Sequence, residues 1–350
     1  MCKVLTISVA AYNVEWCLDE TLKSMVVEKV MPYIEVIIVN DGSKDKTLEI
    51  ANKYHELYPE TFIVIDKENG GHGSTINASI EKSTGKYFKI VDGDDWVNQE
   101  DFSAFISLLE QCDADVVTTK FVECYTKTGT EILVERNICG DEKKYPIDDF
   151  LLRRRFCMHE TAVKTELLKA CNITVEENCF YVDTEYMLYA LTNAKTIVES
   201  DLCIYRYRLG EIGQSVSPES RAKRIQDQRT VLNNMLRYNE INFQSFSKEK
   251  KKFVYKELNV LIRYILESYC YRVTQRTGDV KNEILELIRY AKHDFKNFVV
   301  DEFEVAMNQS SEKKLRGRVL DYYLYQALKH NGLGLSLYIY YIRTRMGRQN

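Results

Sequence analysis

The first 120 residues alternate between short apolar runs and longer amphipathic stretches. The apolar runs are rich in β-branched residues, which is typical of strands buried on both faces. Strands are predicted at 4–9, 35–41, 62–66, 87–92 and 115–120. Helices are predicted between them at 16–28, 47–58 and 74–82. This alternation predicts an α/β fold, with a mostly parallel sheet covered by helices on both faces.

The alternation weakens after residue 120. Two apolar runs flank Lys127–Thr130, which predicts a hairpin. Further helices are predicted at 148–155 and from Asp183, and a strand at 202–210.

Beyond Ser217 the pattern is helical. One apolar face recurs at helical spacing through Val254, Leu258, Leu261 and Ile265, and another through Leu320, Leu324 and Leu328. We therefore place a domain boundary at residue 218, between an α/β domain over 1–218 and a helical domain over 219–350.

Charge is divided unevenly between these predicted domains. Residues 219–350 contain 25 Lys and Arg against 15 Asp and Glu, which is a charge of +10. Residues 1–218 therefore carry a charge of −14, since the net charge of the whole sequence is −4. The basic helical region contains no recognised nucleic-acid module, so we expect no nucleic-acid partner. Its segment 338–345, rich in Tyr and Arg, is a candidate for peripheral contact with an anionic membrane, and equally for packing on the catalytic domain or a second subunit.

Two features bear on location. The ten cysteines form no C-x-x-C pair, and the first residues make a poor signal peptide, which predicts reduced thiols in a cytoplasmic protein. The longest uncharged stretch near the C-terminus, 330–342, has 13 residues, fewer than the roughly 20 of a membrane span. Attachment at the inner face of the membrane and homo-oligomerisation stay open.

The sequence Asp92-Gly93-Asp94-Asp95 follows an apolar strand directly. Carboxylates gathered at a strand end are costly unless a positive charge neutralises them. A hard divalent cation, Mn²⁺ or Mg²⁺, suits such oxygen ligands together with substrate phosphates. The alternative is a solvated acidic turn.

Three other polar loops follow predicted strands, at 8–13, 40–47 and 69–77. The carboxyl ends of parallel strands meet at one edge of a sheet, where ligands bind in open α/β folds. We therefore expect all four loops to form one site.

These four motifs, in this order and spacing, resemble glycosyltransferase family 2. The resemblance covers residues 3–120 closely and 121–215 loosely, and does not extend to 219–350. It implies a GT-A fold and inverting, metal-dependent transfer of a hexosyl or N-acetylhexosaminyl group from a nucleotide-diphosphate sugar, with a UDP-sugar favoured. The implied acceptor is a glycan or lipid-linked hydroxyl in bacterial polysaccharide or surface-glycan synthesis.

The resemblance also implies roles for individual residues. Tyr12 would stack on the nucleobase, Asp41 would accept a hydrogen bond from uracil, Asp92 would lie near the ribose, and Asp94 would hold the metal. Asp95 would support the loop. The implied donor-binding set is completed by Ala10, Asn13, Gly71, Asn77, Gly93 and Arg206.

Asp183 is the implied catalytic base, because it stands in the segment where the family carries an acidic pair opening a helix. The alternative for Asp183 is a helix N-cap, and Glu185 is held in reserve as base. The segment from 205–208 through 213–217 resembles a loop that closes over the donor, and its arginines suit diphosphate binding; the alternative for 205–208 is a solvent-facing strand. Participation of His72 and His159 stays open, His159 being either on the acceptor side or structural.

Three positions depart from the family pattern. Ala10 stands where the family often has Pro, Ile76 where it often has Arg, and Val182 where it has Glu. These departures leave a second hypothesis, a catalytically weak or inactive sugar-nucleotide-binding partner in a glycan-assembly complex.

Overall fold

We describe the protein from a computed structural model, which places residues 2–210, 215 and 217–274. The predicted apolar face at Leu320, Leu324 and Leu328 and the segment 338–345 lie outside the described residues. So do positions 213, 214 and 216 of the predicted closing loop.

The strands of the described residues form one ten-stranded sheet. They are β1 (Leu5–Ala11), β2 (Ile34–Asp41), β3 (Phe62–Lys67), β4 (Tyr87–Asp92), β5 (Trp96–Val97), β6 (Val116–Tyr125), β7 (Thr130–Val134), β8 (Asp141–Pro146), β9 (Thr161–Lys164) and β10 (Thr196–Leu209). Their order is β3-β2-β1-β4-β9-β6-β10-β5, with β7 beside β6 and β8 beside β10.

Strand direction divides the sheet into two parts. The neighbours β3, β2, β1 and β4 are parallel, and so are β6 and β10. Strands β5, β7, β8 and β9 pair antiparallel with their neighbours. The sheet is therefore parallel where the four polar loops follow it and mixed beyond.

The helices alternate with the strands at first and then follow one another. They are α1 (Leu18–Ser24), α2 (Thr47–Leu57), α3 (Gly71–Lys82), α4 (Gln99–Gln111), α5 (Asp148–Leu151), α6 (Thr165–Ala170), α7 (Val182–Asn193), α8 (Pro218–Lys223), α9 (Ile225–Asn242) and α10 (Lys248–Thr274). Short 3₁₀ turns occur at Met31–Tyr33 and Met158–Glu160. No helix in the described ranges is long and apolar enough to cross a membrane.

The α/β fold class and the five predicted strands of residues 1–120 are confirmed. The hairpin is confirmed as well, because Tyr125 of β6 pairs with Thr130 of β7. The helices predicted at 16–28 and 148–155 are shorter than expected, at Leu18–Ser24 and Asp148–Leu151. The strand predicted at 202–210 begins earlier, at Thr196.

The interior lies between the sheet and its helices. All eight residues of β2 are buried, as the apolar run predicts for a strand covered on both faces. Helix α4 contributes Phe102, Phe105 and Leu109, none of which is exposed. Burying each such side chain stabilises the fold by about 1.5–3 kcal/mol.

A buried polar contact joins β1, β2 and β4. Glu35 of β2 accepts hydrogen bonds from the Thr6 hydroxyl (2.5 Å) and from the Gly85 N–H (3.1 Å). A Cβ at Gly85 would lie only 2.5 Å from the backbone nitrogen of Thr6. The start of β4 can therefore approach β1 only because residue 85 has no side chain.

The chain contains two compact units. Among the described residues, one contains 2–210 with Asn233–Val254, and the second contains 217–232 with 255–274. The predicted domain boundary at residue 218 stays a prediction.

We expect Gly85→Ala to lower the free energy of unfolding by about 1–3 kcal/mol, because the added methyl group collides with the backbone of β1. Urea denaturation measures this change. The matched control is Gly129→Asn in the β6–β7 turn, where φ is +66° and nothing lies within 4 Å of the added Cβ. Asn tolerates that conformation, so an equal loss in both variants would contradict the packing argument.

Candidate active site

The loops after β1 and β2 lie side by side, and Asn13 joins them. Its backbone has φ of +53°, a conformation that Asn adopts more readily than most residues. The Asn13 N–H donates to the Ser43 hydroxyl (3.0 Å), and its side-chain oxygen accepts from the Lys44 N–H (2.8 Å). Tyr12, the preceding residue, is half exposed at this edge. Stacking of Tyr12 on a nucleobase stays a prediction.

Asp41 ends β2 and is almost completely buried. Its Oδ1 accepts from Lys67 Nζ (2.9 Å), the Gly70 N–H (2.8 Å) and the Ser74 hydroxyl (3.2 Å). Its Oδ2 accepts from the Gly71 N–H (2.8 Å). The carboxylate therefore holds the turn that begins α3, and a uracil contact would have to use the remaining capacity of Oδ2.

The acidic loop after β4 is tied to the end of β1. The Gly93 N–H donates to the Ala10 carbonyl (3.0 Å), and a Cβ on Gly93 would lie 2.5 Å from that oxygen. From the other side, the Thr21 hydroxyl donates to the Gly93 carbonyl (2.9 Å). Because residue 93 has no side chain, the acidic loop can lie directly against the end of β1. This close approach fixes the backbone from which Asp92 and Asp94 project.

Asp92 forms an ion pair with His72 of α3, whose Nε2 lies 3.2 Å from Asp92 Oδ1. Burial alone would lower the pKa of His72, but the hydrogen bond and charge of Asp92 outweigh it and raise that pKa. Burial alone would raise the pKa of Asp92, and the contact with His72 outweighs it and lowers that pKa. The contact with Asp92 therefore favours the protonated form of His72, and this form offsets part of the negative charge at this edge.

Burial and the neighbouring charge of Asp92 raise the pKa of Asp94 to about 6. A carboxylate destabilised in this way gains from a bound cation, and an oxygen ligand suits Mg²⁺ or Mn²⁺. No group of three or more His, Cys, Asp or Glu in the described part of the chain is arranged to hold a metal ion. Asp94 fits a cation whose other ligands are phosphates and water.

Asp95 is buried and supports the loop, as the sequence suggested. It accepts hydrogen bonds from the Tyr205 hydroxyl (2.5 Å) and the Arg208 N–H (2.7 Å). Burial and the charges of Asp92 and Asp94 raise the pKa of Asp95 well above its usual range. These contacts make Asp95 an anchor between the acidic loop and β10.

Asp183 is the second residue of α7, and the N-cap is Tyr181, which has φ of +68° and no side-chain capping bond. The N-cap alternative for Asp183 is therefore wrong. Burial raises the pKa of Asp183, with His72 lowering it and Asp92 raising it further. The structure thus brings Asp183 into the electrostatic environment of the β4 loop.

Glu185, the reserve base, is buried two residues after Asp183 in α7. Its Oε2 accepts from the Glu176 N–H (2.9 Å), and its Oε1 accepts from the Tyr189 hydroxyl (3.1 Å). Both oxygens hold the segment around α7, so the contacts of Glu185 are structural.

The two arginines of β10 diverge in their contacts. Arg206 pairs with Glu131 Oε2 of β7 (2.7 Å). Arg208 instead donates through Nε to the Asp94 carbonyl (2.6 Å). Sequence reasoning placed both arginines in the segment expected to close over the donor but assigned donor binding to Arg206 alone. Side chains two residues apart share one face of a strand, so only the pairing register decides which of them reaches the loop. Donor binding by Arg206 stays a prediction.

Asn77 and His159 have structural contacts. The Asn77 amide binds both the N–H (3.0 Å) and the carbonyl (2.9 Å) of Val175, which tethers the segment leading to α7. The His159 ring stacks on Tyr205 with centroids 4.9 Å apart, and burial lowers the pKa of His159 to about 4. His159 is therefore a neutral ring packed behind the acidic loop, and the donor-binding role of Asn77 stays a prediction.

The sequence of the strands and loops that form this site matches a known protein family. The model of Glycosyl transferase family 2 matches residues 6–172, which contain β1 to β4, the acidic loop and the turn beginning α3. Residues 6–172 belong to that family. The family 2 segment ends before α7 and β10, which contribute Asp183 and Arg208.

A curated relative is the minor teichoic acid biosynthesis protein GgaB of Bacillus subtilis (strain 168). It is 26% identical over 220 residues, which are 61% of this chain and 24% of GgaB. The chain therefore spans about a quarter of this relative.

Two solved structures share the fold, which confirms the GT-A class. Residues 1–349 of Staphylococcus aureus TarS in complex with UDP-GlcNAc superpose with a TM-score of 0.61 at 20% identity, covering 99% of this chain and 92% of that one. The mannosyltransferase PcManGT of Pyrobaculum calidifontis, with GDP-Man and Mn²⁺, gives a TM-score of 0.50 at 14% identity, covering 82% of this chain and 80% of that one.

We expect Asp94→Asn to raise stability at pH 8 in the absence of metal. The folded-state pKa of Asp94 is raised to about 6, so the wild-type protein loses stability as pH rises from about 4 through about 6, and the amide does not. The gain should be about 1–2 kcal/mol above that range, or about 2–5 °C in Tm, and should vanish below pH 4.

Thermal unfolding with chelator at pH 4 and pH 8 measures this difference. Asp149→Asn, on the exposed start of α5, is the matched control and should change Tm little. A wild-type protein that is more stable than Asp94→Asn at pH 8 would contradict the proposed strain at Asp94.

Proposed function

We propose that the protein is an inverting, metal-dependent glycosyltransferase that moves a sugar from a UDP-sugar to an acceptor hydroxyl. The observation that carries this proposal is the acidic edge of the sheet, where Asp92 and Asp94 lie near His72 and Asp183. Buried carboxylates with perturbed pKa values beside loops that follow parallel strands are typical of a catalytic site.

The donor would lie across the carboxyl ends of β2, β1 and β4. Tyr12 offers a half-exposed ring for the base, and Asp41 Oδ2 offers an acceptor for an imide N–H. Asp92, held by His72, would face the ribose. This order along the sheet directs the sugar end of the donor toward Asp94.

Asp94 would hold Mn²⁺ or Mg²⁺, and a cation bound there would offset the negative charge developing on the diphosphate. Arg208 binds the Asp94 main chain through its Nε and so fixes the loop without using the carboxylate.

Asp183 would act as the base. As the acceptor oxygen attacks the anomeric carbon, its proton passes to Asp183, and the bond between that carbon and the diphosphate oxygen breaks to release UDP. Attack opposite the leaving group inverts the anomeric configuration. The raised pKa of Asp183 favours proton uptake.

The comparisons support a choice of donor sugar and of acceptor class. GgaB is named for minor teichoic acid biosynthesis, TarS was solved with UDP-GlcNAc, and PcManGT with Mn²⁺. We therefore favour an N-acetylhexosaminyl or hexosyl donor, and a glycan or lipid-linked acceptor of the bacterial surface. The cytoplasmic location remains part of the proposal.

The alternative, an inactive sugar-nucleotide-binding partner, rests on Ile76 and Val182. Both side chains are completely buried and contribute to packing. Burial accounts for their apolar character without requiring loss of activity, so turnover decides between the two hypotheses.

The test is release of UDP from UDP-GlcNAc, UDP-glucose and UDP-galactose with Mn²⁺ or with chelator. We expect one donor to be hydrolysed slowly, with the activity lost in chelator and in Asp94→Ala. Asp183→Asn should bind UDP normally but turn over about 10²–10⁴-fold more slowly, the usual contribution of a general base.

Asp149→Asn serves as the control and should retain the wild-type rate. Wild-type turnover by Asp183→Asn would remove the base assignment. UDP binding without any turnover, including with glycan acceptors, would favour the inactive partner.

A further inference from the structure

Both tryptophans of the chain meet at Arg208. The guanidinium carbon of Arg208 lies 4.7 Å from the ring centroid of Trp96 and 5.3 Å from that of Trp16. Cations at such distances are attracted by the faces of indole rings. The three side chains form one cluster, which we call the indole clamp, beside the acidic loop.

Hydrogen bonds fix Arg208 within the indole clamp. Its Nη2 donates to Glu20 of α1 (2.6 Å), its Nε donates to the Asp94 carbonyl (2.6 Å), and its backbone N–H donates to Asp95 (2.7 Å). The Arg208 side chain is only 9% exposed. Trp16 is thus stacked against a rigid, charged support.

Trp16 nevertheless remains 57% exposed. An exposed indole that is held against Arg208 beside the acidic loop offers a flat, fixed apolar surface to a ligand. Other large exposed apolar side chains, such as Leu57 (58%) and Ile241 (72%), lack this setting.

The position of Trp16 indicates which ligand it contacts. Asp41 and Lys67 lie at the ends of β2 and β3, on the nucleotide side of Asp94. The indole clamp joins Trp16, in the loop after β1, to β5 and β10, which lie beyond β4 in the strand order. Because Arg208 also binds the Asp94 carbonyl, a molecule on Trp16 lies beside the acidic loop, where the sugar end of the proposed donor would be.

We propose that Trp16 is the platform for a sugar ring of the acceptor glycan. A pyranose ring presents C–H groups on its face and hydroxyl groups around its rim. The exposed indole matches the face, and the carboxylate of Glu20, whose side chain is 57% exposed, offers an acceptor to a hydroxyl. This inference rests on the proposed function, since it assigns the acceptor to the same site.

Charge argues against a membrane as the occupant. Trp16 is flanked along the chain by Glu15, Asp19 and Glu20. Asp19 pairs with Lys53 and Glu20 with Arg208, which leaves no surplus of positive charge to attract anionic lipid headgroups. Neutral sugar hydroxyls can still donate to the exposed carboxylates.

The experiment uses the full chain loaded with UDP and Mn²⁺ and titrated with methyl β-glycosides of N-acetylglucosamine, glucose and galactose. In Trp96→Phe, Trp16 is the only tryptophan, so its fluorescence reports contact directly. We expect a saturable change with at least one glycoside. By calorimetry, Trp16→Ala should weaken that glycoside about tenfold or more, and Trp16→Phe about threefold or less.

Leu57→Ala, which removes a similarly exposed apolar side chain from α2, should bind the glycoside like the wild-type protein. The proposal is overturned if no glycoside binds the wild-type protein, or if Trp16→Ala binds as tightly as wild type. It is also overturned if Trp16 fluorescence responds to phosphatidylglycerol vesicles and to no glycoside. UDP affinity, measured in each sample, reports separately on the proposed function.

Discussion

The mutual repulsion of carboxylates at the end of β4 governs the rest of the site. Asp92, Asp94 and Asp95 follow one another within four residues, and each is handled differently. Asp92 pairs with His72, and Asp95 is buried under hydrogen bonds from Tyr205 and Arg208. Asp94 keeps a raised pKa, so its negative charge is the one that a cation can relieve. The structure thus concentrates the electrostatic cost at the position where a charged substrate would bind.

Much of the fold could be predicted because β1, β2 and β4 are mostly apolar runs whose burial on both faces follows from their composition, while β3, at the edge of the sheet, is apolar but only partly buried. Helix α4 was missed although Phe102, Phe105, Ile106 and Leu109 recur at helical spacing, so its signal was present. Strand β8 gave no such signal, because its sequence is mostly charged and exposed at the edge of the sheet. The start of β10 also lacked an apolar pattern, because it contains Glu199, which is buried beside Arg154.

Site residues could be predicted from the sequence where an acidic side chain directly follows a strand. Asp41, Asp92 and Asp94 stand at strand ends and are brought to one edge by parallel pairing alone. Contacts between distant segments were not accessible in this way. The choice of Arg208 over Arg206 depends on the register of β10, and the pairing of His72 with Asp92 depends on how α3 packs. The setting of Trp16 depends on Trp96 of β5 and on Arg208 of β10, which no local pattern connects to it.

The most direct test of this account is anomalous diffraction from crystals grown with UDP and Mn²⁺. We predict an anomalous peak about 2.0–2.5 Å from a carboxylate oxygen of Asp94, contacting the diphosphate, with the uracil between Tyr12 and Asp41. UDP bound without a peak at Asp94, or bound away from the carboxyl ends of β1, β2 and β4, would contradict the central role of the acidic loop.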